Sequence, residues 1–322
     1  MSDRDEPAPG DTFPAAVEEE IRHRTLQLFS GSPGHRSLAD AASVASNPGV
    51  TADIFGATDV GQKRTINQDH FVVAALERAL LVEGSSLPTE AGTRLTDTPQ
   101  GRLLIVADGI GGHGGGELAS AVAIDAMAHY AFETMPWAMS RDRCATEELP
   151  RGLREAVAKA QARVRRVARR KNAPENLGTT LTMAYVVWPD LHLVHVGDSR
   201  AYLFREGKLY RLTRDHTMAQ QLVDGEAMTP EEAARSPLGH VLINAVGGGT
   251  DDLDVELHRL RLEIEDQLLL CTDGLYDMVS DQMLAAHLAR TNRNVDTVVL
   301  GLIRAANDAG GRDNVTAVLA RF

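Results

Sequence analysis

The segment 103-LLIVADGIGGHGGG-116 decides the fold, because an uninterrupted apolar run leads directly into Asp108-Gly109. The segment 268-LLLCTDG-274 repeats this pattern, and a third aspartate follows in 311-GRDNVT-316. A carboxylate at the end of a buried strand is held rigidly at the rim of a sheet, and the glycine after it lets a ligand approach the backbone. If these carboxylates converge, they form a site for hard divalent cations.

Composition limits the classes of protein to consider. The chain has 322 residues, 43% of them hydrophobic, which is enough for one large domain or two modest ones. A net charge of -12 excludes a general attraction to nucleic acid or to anionic membrane. Two cysteines, Cys144 and Cys271, provide neither a disulfide framework nor zinc-ligand spacing. No signal peptide or membrane-length apolar run is found, so we expect a soluble, unanchored protein of the cytoplasm.

The chain divides into a short extension and one domain. Residues 1–50, rich in Pro, Gly, Ser and Ala, predict a mobile N-terminal extension, and residues 51–322 predict the folded domain. Within it, residues 217–249 are helical and irregular, with a capping box at Thr229 and Glu232. Strands are predicted from 52, and at 71–76, 103–107, 180–187, 191–196, 201–204, 209–212, 255–262, 266–271 and 315–322, and helices at 117–134, 153–167, 281–290 and 295–307.

Short polar turns between the strands of 180–212 predict antiparallel neighbours. Helices grouped in pairs around runs of strands indicate an α+β layered domain. The predicted helix over 153–167 buries one apolar stripe and presents a basic face to solvent. That face is either a docking surface for acidic partners or nucleic acid, or a solvated helix face, and the solvated face is favoured. Its members are Arg154, Lys159, Arg163, Arg165, Arg166, Arg169 and Arg170.

The aspartates point to phosphate chemistry. Mg²⁺ and Mn²⁺ prefer oxygen ligands, so three or four Asp side chains with a backbone carbonyl suit them better than they suit zinc. Two such ions about 3.5 to 4 Å apart share a bridging water and hold a phosphoryl group for in-line attack. A single Asp-Gly is usually a turn, but two at strand ends with a third Asp nearby are harder to explain as turns.

Three other chemistries fit less well. The stretch from Gly109 to Gly114 satisfies the dinucleotide-binding fingerprint, but no second parallel strand with a terminal acid follows the helix. Cys271 lacks the arginine that a thiolate phosphate loop needs six residues later, where Asp277 stands. Ser199 is not in a nucleophile elbow, because Ala201 takes the place of the last glycine.

Seven motifs in order now resemble a known family, the metal-dependent Ser/Thr protein phosphatases called PPM or protein phosphatase 2C, in its bacterial form. The resemblance spans residues 52–322 and leaves residues 1–50 unexplained. The motifs are 64-RTINQD-69, 106-VADGIGGH-113, 178-GTT-180, 196-VGDSR-200, Asp215-His216, 271-CTDG-274 and Asp313-Asn314.

The resemblance implies a four-layer αββα sandwich of two mostly antiparallel sheets flanked by helix pairs, with a metal cluster in the cleft between the sheet edges. Two core ions, Mn²⁺ or Mg²⁺, are implied. Asp108 would bridge them, Gly109 would offer its carbonyl to one, and Asp273 and Asp313 would complete the other. Asp69 would hold a metal-bound water.

Further residues are assigned by resemblance, each with a plainer reading beside it. Asp198 matches a ligand of a third, weaker ion, or it is a turn residue that caps neighbouring amides. Arg64 is expected to clamp the phosphate, because a guanidinium forks two donors onto phosphate oxygens, and a surface arginine is the alternative. His113 is either the general acid or an exposed loop residue.

One position departs from the family pattern. Gln68 stands where many members carry an acidic residue, so one negative charge near the metal waters is absent. We expect a weaker metal affinity at one site than a Gln68→Glu variant would have. The segment 217–249, called the flap below, corresponds to a part of the family fold that varies among members, and we expect it to act as a mobile lid that reads protein substrates.

The implied activity is hydrolysis of phosphoserine and phosphothreonine by direct attack of a metal-bridging hydroxide, with no phosphoenzyme. Phosphorylated proteins, Ser/Thr kinases among them, are the expected partners of a monomer that binds no nucleic acid and no membrane. The alternative is a non-catalytic sensor or scaffold with the phosphatase fold, and the intact aspartate set argues against it.

Overall fold

The computed structural model describes residues 52–76, 79–81, 94–96, 101–111, 115–133, 148–171, 177–249, 252–290 and 293–322. The expectations for residues 1–50 and for His113 lie outside these ranges. None of the described helices has the length and apolar character needed to cross a membrane.

Fourteen strands are described. They are β1 Asp53–Asp59, β2 His70–Leu76, β3 Ala79–Leu81, β4 Arg94–Thr96, β5 Gly101–Ala107, β6 Gly109–Ile110, β7 Gly178–Thr179, β8 Leu181–Val187, β9 Asp190–Val196, β10 Arg200–Arg205, β11 Lys208–Arg211, β12 Glu256–Arg261, β13 Gln267–Cys271 and β14 Val315–Arg321. The helices are α1 Gly115–Glu133, α2 Glu148–Arg170, α3 Met218–Asp224, α4 Pro230–Ala233, α5 Asp273–Tyr276, α6 Asp281–Leu288 and α7 Val295–Asp308, with a 3₁₀ turn at Pro237–His240.

Two five-stranded antiparallel sheets hold most of the strands. The first sheet has the order β1-β14-β13-β10-β11, and the second has the order β12-β9-β8-β5-β2. The short pairs β3-β4 and β6-β7 lie outside them. The expectation of an α+β domain with two antiparallel sheets is therefore confirmed.

The apolar runs before the two Asp-Gly steps are strands buried on both faces. In β5, Leu103 and Ile105 pack toward the helices α1 and α2, whereas Leu104 and Val106 pack between the sheets. In β13, Leu268 and Leu270 also point between the sheets. A strand covered on both faces reads as a continuous apolar run rather than an alternating one, which explains both segments.

Three apolar clusters follow from this arrangement. The first joins the second sheet to α1 and α2, the second fills the space between the sheets, and the third joins the first sheet to α5, α6 and α7. Helix α7 contributes the largest apolar face of the third cluster, from Val295 to Ala306. The sheets are thus supported on their outer faces by helices and on their inner faces by each other.

Most predicted elements are confirmed within one to five residues, including the capping box of Thr229 and Glu232 at the start of α4. One pairing prediction is wrong. Strands β8 and β9 pair, as do β10 and β11, but β9 and β10 belong to different sheets. The turn between them contains Gly197 at a φ of +108°, where a Cβ would come within 2.7 Å of Thr180, and this turn carries the chain from one sheet to the other.

The basic face of α2 also differs from expectation at two positions. Arg163 forms an ion pair with Asp125 of α1, and Arg165 donates to backbone carbonyls of Gly247 and Gly248. Both side chains are therefore engaged by the protein rather than simply solvated. A helical pattern shows which face a residue occupies but not which loop lies against it, because that loop comes from a distant part of the chain.

An ion pair at the start of β13 allows a stability prediction. Asp266 is 1% exposed and accepts from Arg205 at both oxygens, Nε at 2.8 Å and Nη2 at 2.5 Å. The Arg205→Ala variant should lower the free energy of unfolding by about 3 kcal/mol or more, because it leaves a buried carboxylate without its cation. Urea denaturation measures the loss.

The exposed pair between Arg259 and Asp190 is the matched control, with an Nη2–Oδ1 distance of 3.1 Å and 47% exposure of the arginine. The Arg259→Ala variant should cost no more than about 1 kcal/mol. Equal losses in the two variants would contradict the assignment of Arg205 as a structural cation.

Candidate metal centre

A cleft of about 670 Å³ opens where strand ends from the two sheets meet. Asp108 reaches it from the end of β5 in the second sheet, and Asp273 reaches it from the end of β13 in the first. Four of the five sequence-predicted aspartates, Asp108, Asp198, Asp273 and Asp313, therefore line the same cleft, and Asp69 does not. The lining residues are Arg64, Gln68, Asp108, Gly109, Ile110, Gly111, Asp198, His240, Leu242, Asp273, Gly274, Asp277, Met278, Arg312 and Asp313.

Asp69 lies immediately before β2 and is not among the residues that line the cleft. It is 3% exposed, and its Oδ2 accepts from Thr272 Oγ1 at 2.8 Å and from Thr316 Oγ1 at 2.7 Å. Its Oδ1 is buried and has no hydrogen-bond partner among the described atoms. Burial raises the pKa of Asp69 to about 6, against the lowering effect of the two threonines. One oxygen is therefore anchored and the other is unsatisfied.

The backbone of Asp108 is held on both sides. Its N–H donates to Thr180 Oγ1 at 2.8 Å, and its carbonyl accepts from Thr179 Oγ1 at 2.8 Å and from the Thr180 N–H at 2.9 Å. Burial raises the pKa of the Asp108 carboxyl well above its usual range, and the nearby carboxylates raise it further, Asp69 and Asp273 most. The protein thus holds this side chain rigidly in an unfavourable electrostatic environment.

Asp273 begins α5 instead of a simple turn, which the sequence did not predict. The helix can start here because Gly274 packs directly on the next loop: a Cβ at Gly274 would lie 2.0 Å from the Asn314 carbonyl oxygen. Asp273 Oδ1 is buried without a partner among the described atoms. Burial raises the pKa of Asp273 well above its usual range, and the charge of Asp198 adds to this.

Arg64 and Asp313 face each other at the mouth of the cleft. Arg64 Nη2 donates to Asp313 Oδ2 at 2.6 Å, and the arginine side chain is 53% exposed. This hydrogen bond is the main cause of the raised pKa of Arg64, to which the charges of Asp108 and Asp273 contribute less. An exposed guanidinium beside several carboxylates is positioned to meet an anionic group entering the cleft.

Asp198 lies at the turn between β9 and β10 and is 4% exposed. Its carbonyl accepts from the Tyr276 hydroxyl at 2.9 Å, and the Arg200 guanidinium stacks over the Tyr276 ring at 3.6 Å from the centroid. Arg200 in turn donates two hydrogen bonds to Asp215, from Nε to Oδ1 at 3.0 Å and from Nη2 to Oδ2 at 2.6 Å. Burial raises the pKa of Asp198 to about 7, and Asp215 adds to the shift.

The side-chain amide of Asn314 joins two loops of the site, a role that its sequence motif did not predict. Its Oδ1 accepts from the Gln68 N–H at 2.8 Å, and its Nδ2 donates to the carbonyls of Val60 and Ile66, both at 3.0 Å. Gln68 Nε2 donates to the Gly111 carbonyl at 2.8 Å. The loop that carries Arg64 and Asp69 is therefore tied to the Asp313-Asn314 loop by one amide.

His240 and Asp277 were missed entirely. They line the cleft from the flap and from the residue after α5, with His240 Nδ1 3.5 Å from Asp277 Oδ2. The only available signal for Asp277 was its spacing of four from Asp273, one helical turn later. His240 gave none, because its position depends on how the flap returns toward the sheet.

Gly109 occupies a place that only glycine fits. A Cβ there would lie 2.2 Å from the Gly116 carbonyl and 2.8 Å from the Gln68 carbonyl, and its own carbonyl oxygen lies against Gly116. His113, between these two glycines, is outside the described residues. Cys271 is fully buried, and burial raises the pKa of its thiol far above the usual range, so it is not a thiolate nucleophile.

The donor set fits divalent metal ions. Four carboxyl groups, two of them buried and two half-buried, have raised pKa values because they are withdrawn from solvent and lie near other carboxylates, and two of their oxygens have no partner among the described atoms. Cations relieve such like-charge crowding, and an all-oxygen set suits Mg²⁺ or Mn²⁺. These aspartates are Asp69, Asp108, Asp198 and Asp273.

Sequence comparisons agree with this chemistry. The family model described as protein phosphatase 2C matches residues 85–306. The serine/threonine protein phosphatase PstP of Mycobacterium tuberculosis is 38% identical over 226 residues, which are 68% of this chain and 40% of PstP. The chain thus spans about 40% of the length of the first curated relatives it matches. Protein phosphatase PhpP of Streptococcus pneumoniae is 29% identical over 263 residues, 81% of this chain and 94% of PhpP.

Solved structures of serine/threonine phosphatases are also similar to this chain. The M. tuberculosis PstP/Ppp crystal structure has a TM-score of 0.67 and 31% identity, covering 84% of this chain and 98% of that one. The PstP catalytic domain in complex with two manganese ions has a TM-score of 0.64 and 31% identity, covering 84% and 97%.

The crowded carboxylates generate a prediction for the metal-free protein. At pH 8 the free energy of unfolding of the Asp108→Asn variant should exceed that of the wild type by at least about 1 kcal/mol. The reason is that the substitution removes one charge from a site where ionisation is unfavourable. The carboxyl pKa values are raised in the folded state, so the wild type should lose stability as pH rises from about 4 to about 7. The advantage of the variant should therefore be smaller at pH 5. Chemical denaturation at pH 5 and at pH 8, with a chelator present, measures the free energy of unfolding of the variant and of the wild type.

Mn²⁺ should stabilise the wild type and stabilise Asp108→Asn much less. The exposed substitution Asp190→Asn is the control and should change stability by no more than about 0.5 kcal/mol. A metal-free Asp108→Asn protein that is less stable than the wild type at pH 8 would count against the crowding argument.

Proposed function

Because the chain belongs to the protein phosphatase 2C family, we propose that it is a metal-dependent protein phosphatase that hydrolyses phosphoserine and phosphothreonine. One observation carries the proposal. Carboxylates converge from both sheets on one cleft, where Asp273 has a buried oxygen with no partner among the described atoms, and the exposed Arg64 stands at its mouth. Such a site would combine cations, held by the carboxylates, with a guanidinium to bind one phosphoryl group.

The ions proposed are Mn²⁺ or Mg²⁺, two in number. Asp108 would hold both, the Gly109 carbonyl would contribute to one, and Asp273 and Asp313 would hold the other, while Asp69 would orient water. The PstP structure with two manganese ions supports this number. Asp198, whose carboxyl pKa responds to neighbouring acids, is proposed with Asp273 as the site of a third, weaker ion.

When bound, the two ions supply a water of lowered pKa and neutralise charge on the phosphoryl oxygens. Arg64 would orient the phosphate with the guanidinium nitrogens that Asp313 does not occupy. The described residues lining the cleft include no Ser, Thr or Cys. The carboxylates there are assigned to the cations, so we propose direct attack by water at phosphorus with no covalent enzyme intermediate, as the family resemblance implies. His113 is retained as the proposed general acid for the leaving oxygen on the grounds of the sequence motif.

The surroundings of the site support finer proposals. The three apolar clusters support a four-layer αββα order with the metals in the cleft between the sheet edges. The flap places His240 and Leu242 on the cleft wall, which supports its role in reading protein substrates. We also propose that the protein acts in the cytoplasm as a monomer on phosphorylated proteins, Ser/Thr kinases among them.

The decisive test of the activity is replacement of Asp273, whose buried Oδ1 has no hydrogen-bond partner among the described atoms. Asp273→Asn should abolish measurable hydrolysis of an aryl phosphate and a phosphothreonine peptide, because it removes a negatively charged ligand while keeping the shape of the side chain. Circular dichroism should show an unchanged fold. EDTA should inactivate the wild type and Mn²⁺ should restore it. Near-wild-type turnover by Asp273→Asn would refute the assignment, and Asp190→Asn controls for loss of a surface charge.

Gln68 gives a second test, with a control that the structure makes necessary. Its Nε2 donates to Gly111, so any replacement by Glu also removes a hydrogen bond. Gln68→Met removes the same donor without adding charge. Relative to Gln68→Met, Gln68→Glu should lower the Mn²⁺ concentration for half-maximal activity by about threefold or more, because it adds a negative charge beside the cations. An equal Mn²⁺ requirement in the two variants would show that the charge at this position has no effect.

A further inference from the structure

Arg165 makes a two-pronged contact with the end of the flap. Its Nε donates to the Gly247 carbonyl and its Nη2 to the Gly248 carbonyl, both at 2.9 Å. The planar guanidinium suits this geometry, because two donors in a fixed fork meet two successive acceptors. The contact joins α2 to a loop more than 80 residues later, which explains why the helical pattern alone assigned Arg165 to a solvated face.

The loop held by Arg165 follows a narrow path. Gly247 has a φ of +99°, and a Cβ on it would lie 2.7 Å from Val164 Cγ1 and 2.9 Å from the Leu177 carbonyl. Only glycine passes between α2 and the start of β7 with this backbone conformation. The loop therefore has little freedom to move toward α2, and Arg165 prevents its carbonyls from moving away.

The residue before this loop is bonded to the strand that supports the metal centre. Val246 and Thr179 exchange both backbone hydrogen bonds, at 2.8 and 2.9 Å. Thr179 Oγ1 then donates to the Asp108 carbonyl at 2.8 Å, and Thr179 pairs with Gly109 across β6 and β7. A continuous path of short hydrogen bonds thus leads from Arg165 to the backbone of Asp108.

We propose that Arg165 is a positioning residue that holds the flap end against β7 and, through Thr179, sets the backbone of Asp108 for metal binding. The proposal rests on the proposed function and deepens it, because it assigns a helix far from the cleft a part in forming the metal site. Arg165 is not among the described residues that line the cleft. Its effect passes through backbone that Asp108 shares with the flap end.

Hydrogen exchange tests the path without any activity measurement. In Arg165→Ala, the amides of Thr179, Thr180 and Val246 should exchange at least about tenfold faster than in the wild type, because local opening of this pairing becomes easier. Amides of β13 and β14, which lie in the first sheet, should be unchanged. Arg165→Lys keeps the charge but loses the fork and should show an intermediate effect, and it serves as the main variant if Arg165→Ala does not fold.

Metal binding supplies the second measurement. Titration calorimetry of metal-free protein with Mn²⁺ should show an affinity weaker by about 10-fold in Arg165→Ala, the scale expected when a partner that orients a ligand is removed. Arg166→Ala is the matched control, because Arg166 is an exposed neighbour on the same helix with no partner among the described residues, and it should behave as the wild type.

The proposal is overturned if exchange at Thr179 and Val246 is unchanged in Arg165→Ala, or if exchange rises equally in β13 and β14, which would indicate general destabilisation. Unchanged Mn²⁺ affinity with faster local exchange would also refute the link to Asp108. A wild-type protein without phosphatase activity would refute the proposed function instead, and the exchange and calorimetry results would still decide the role of Arg165.

Discussion

The buried carboxylate of Asp69 ties the two sheets together at the one edge where their relative position matters most. Asp69 precedes β2 in the second sheet, yet its Oδ2 is held by Thr272 and Thr316, which belong to the end of β13 and to β14 in the first. The aspartates of the cleft emerge from both sheets, so their separation depends on how the sheets are aligned. A shared hydrogen bond at this edge is directional, whereas the apolar layer between the sheets tolerates small shifts.

The cleft combines a rigid backbone with unfavourable charge. Threonine hydroxyls, the Asn314 amide and close glycine contacts hold the loops, and burial leaves the carboxyl groups with raised pKa values. The stability of the sandwich offsets the cost of bringing these groups together without cations. This division of labour explains why Asp108 and Asp273 lie at the ends of deeply buried strands, since a less rigid element would move to separate the charges.

The sequence was sufficient for most elements and for the convergence of Asp108, Asp198, Asp273 and Asp313 on one cleft. Runs such as 103–107 and 268–271 are long, apolar and followed by Asp-Gly, so both strand position and carboxylate placement follow from local pattern. The crossing of the chain from one sheet to the other at Gly197 could not be predicted from local pattern. A short polar turn has the same composition whether or not it joins two neighbouring strands of one sheet. The roles of Asn314, His240 and Arg165 depend on contacts with loops distant in sequence, and periodicity carries no information about those contacts.

The two ends of the flap are joined to each other by backbone hydrogen bonds. Thr217 and Leu242 form an antiparallel bridge, and backbone hydrogen bonds join Met218 to Val241 and Ile243 to His216. The residues between 218 and 241 therefore enter and leave the domain at nearly the same point, as a hairpin does. Such a segment can lengthen, shorten or change its surface over evolutionary time while the scaffold stays constant. Under the proposed function, substrate recognition by the flap can then change while the residues of the cleft stay the same.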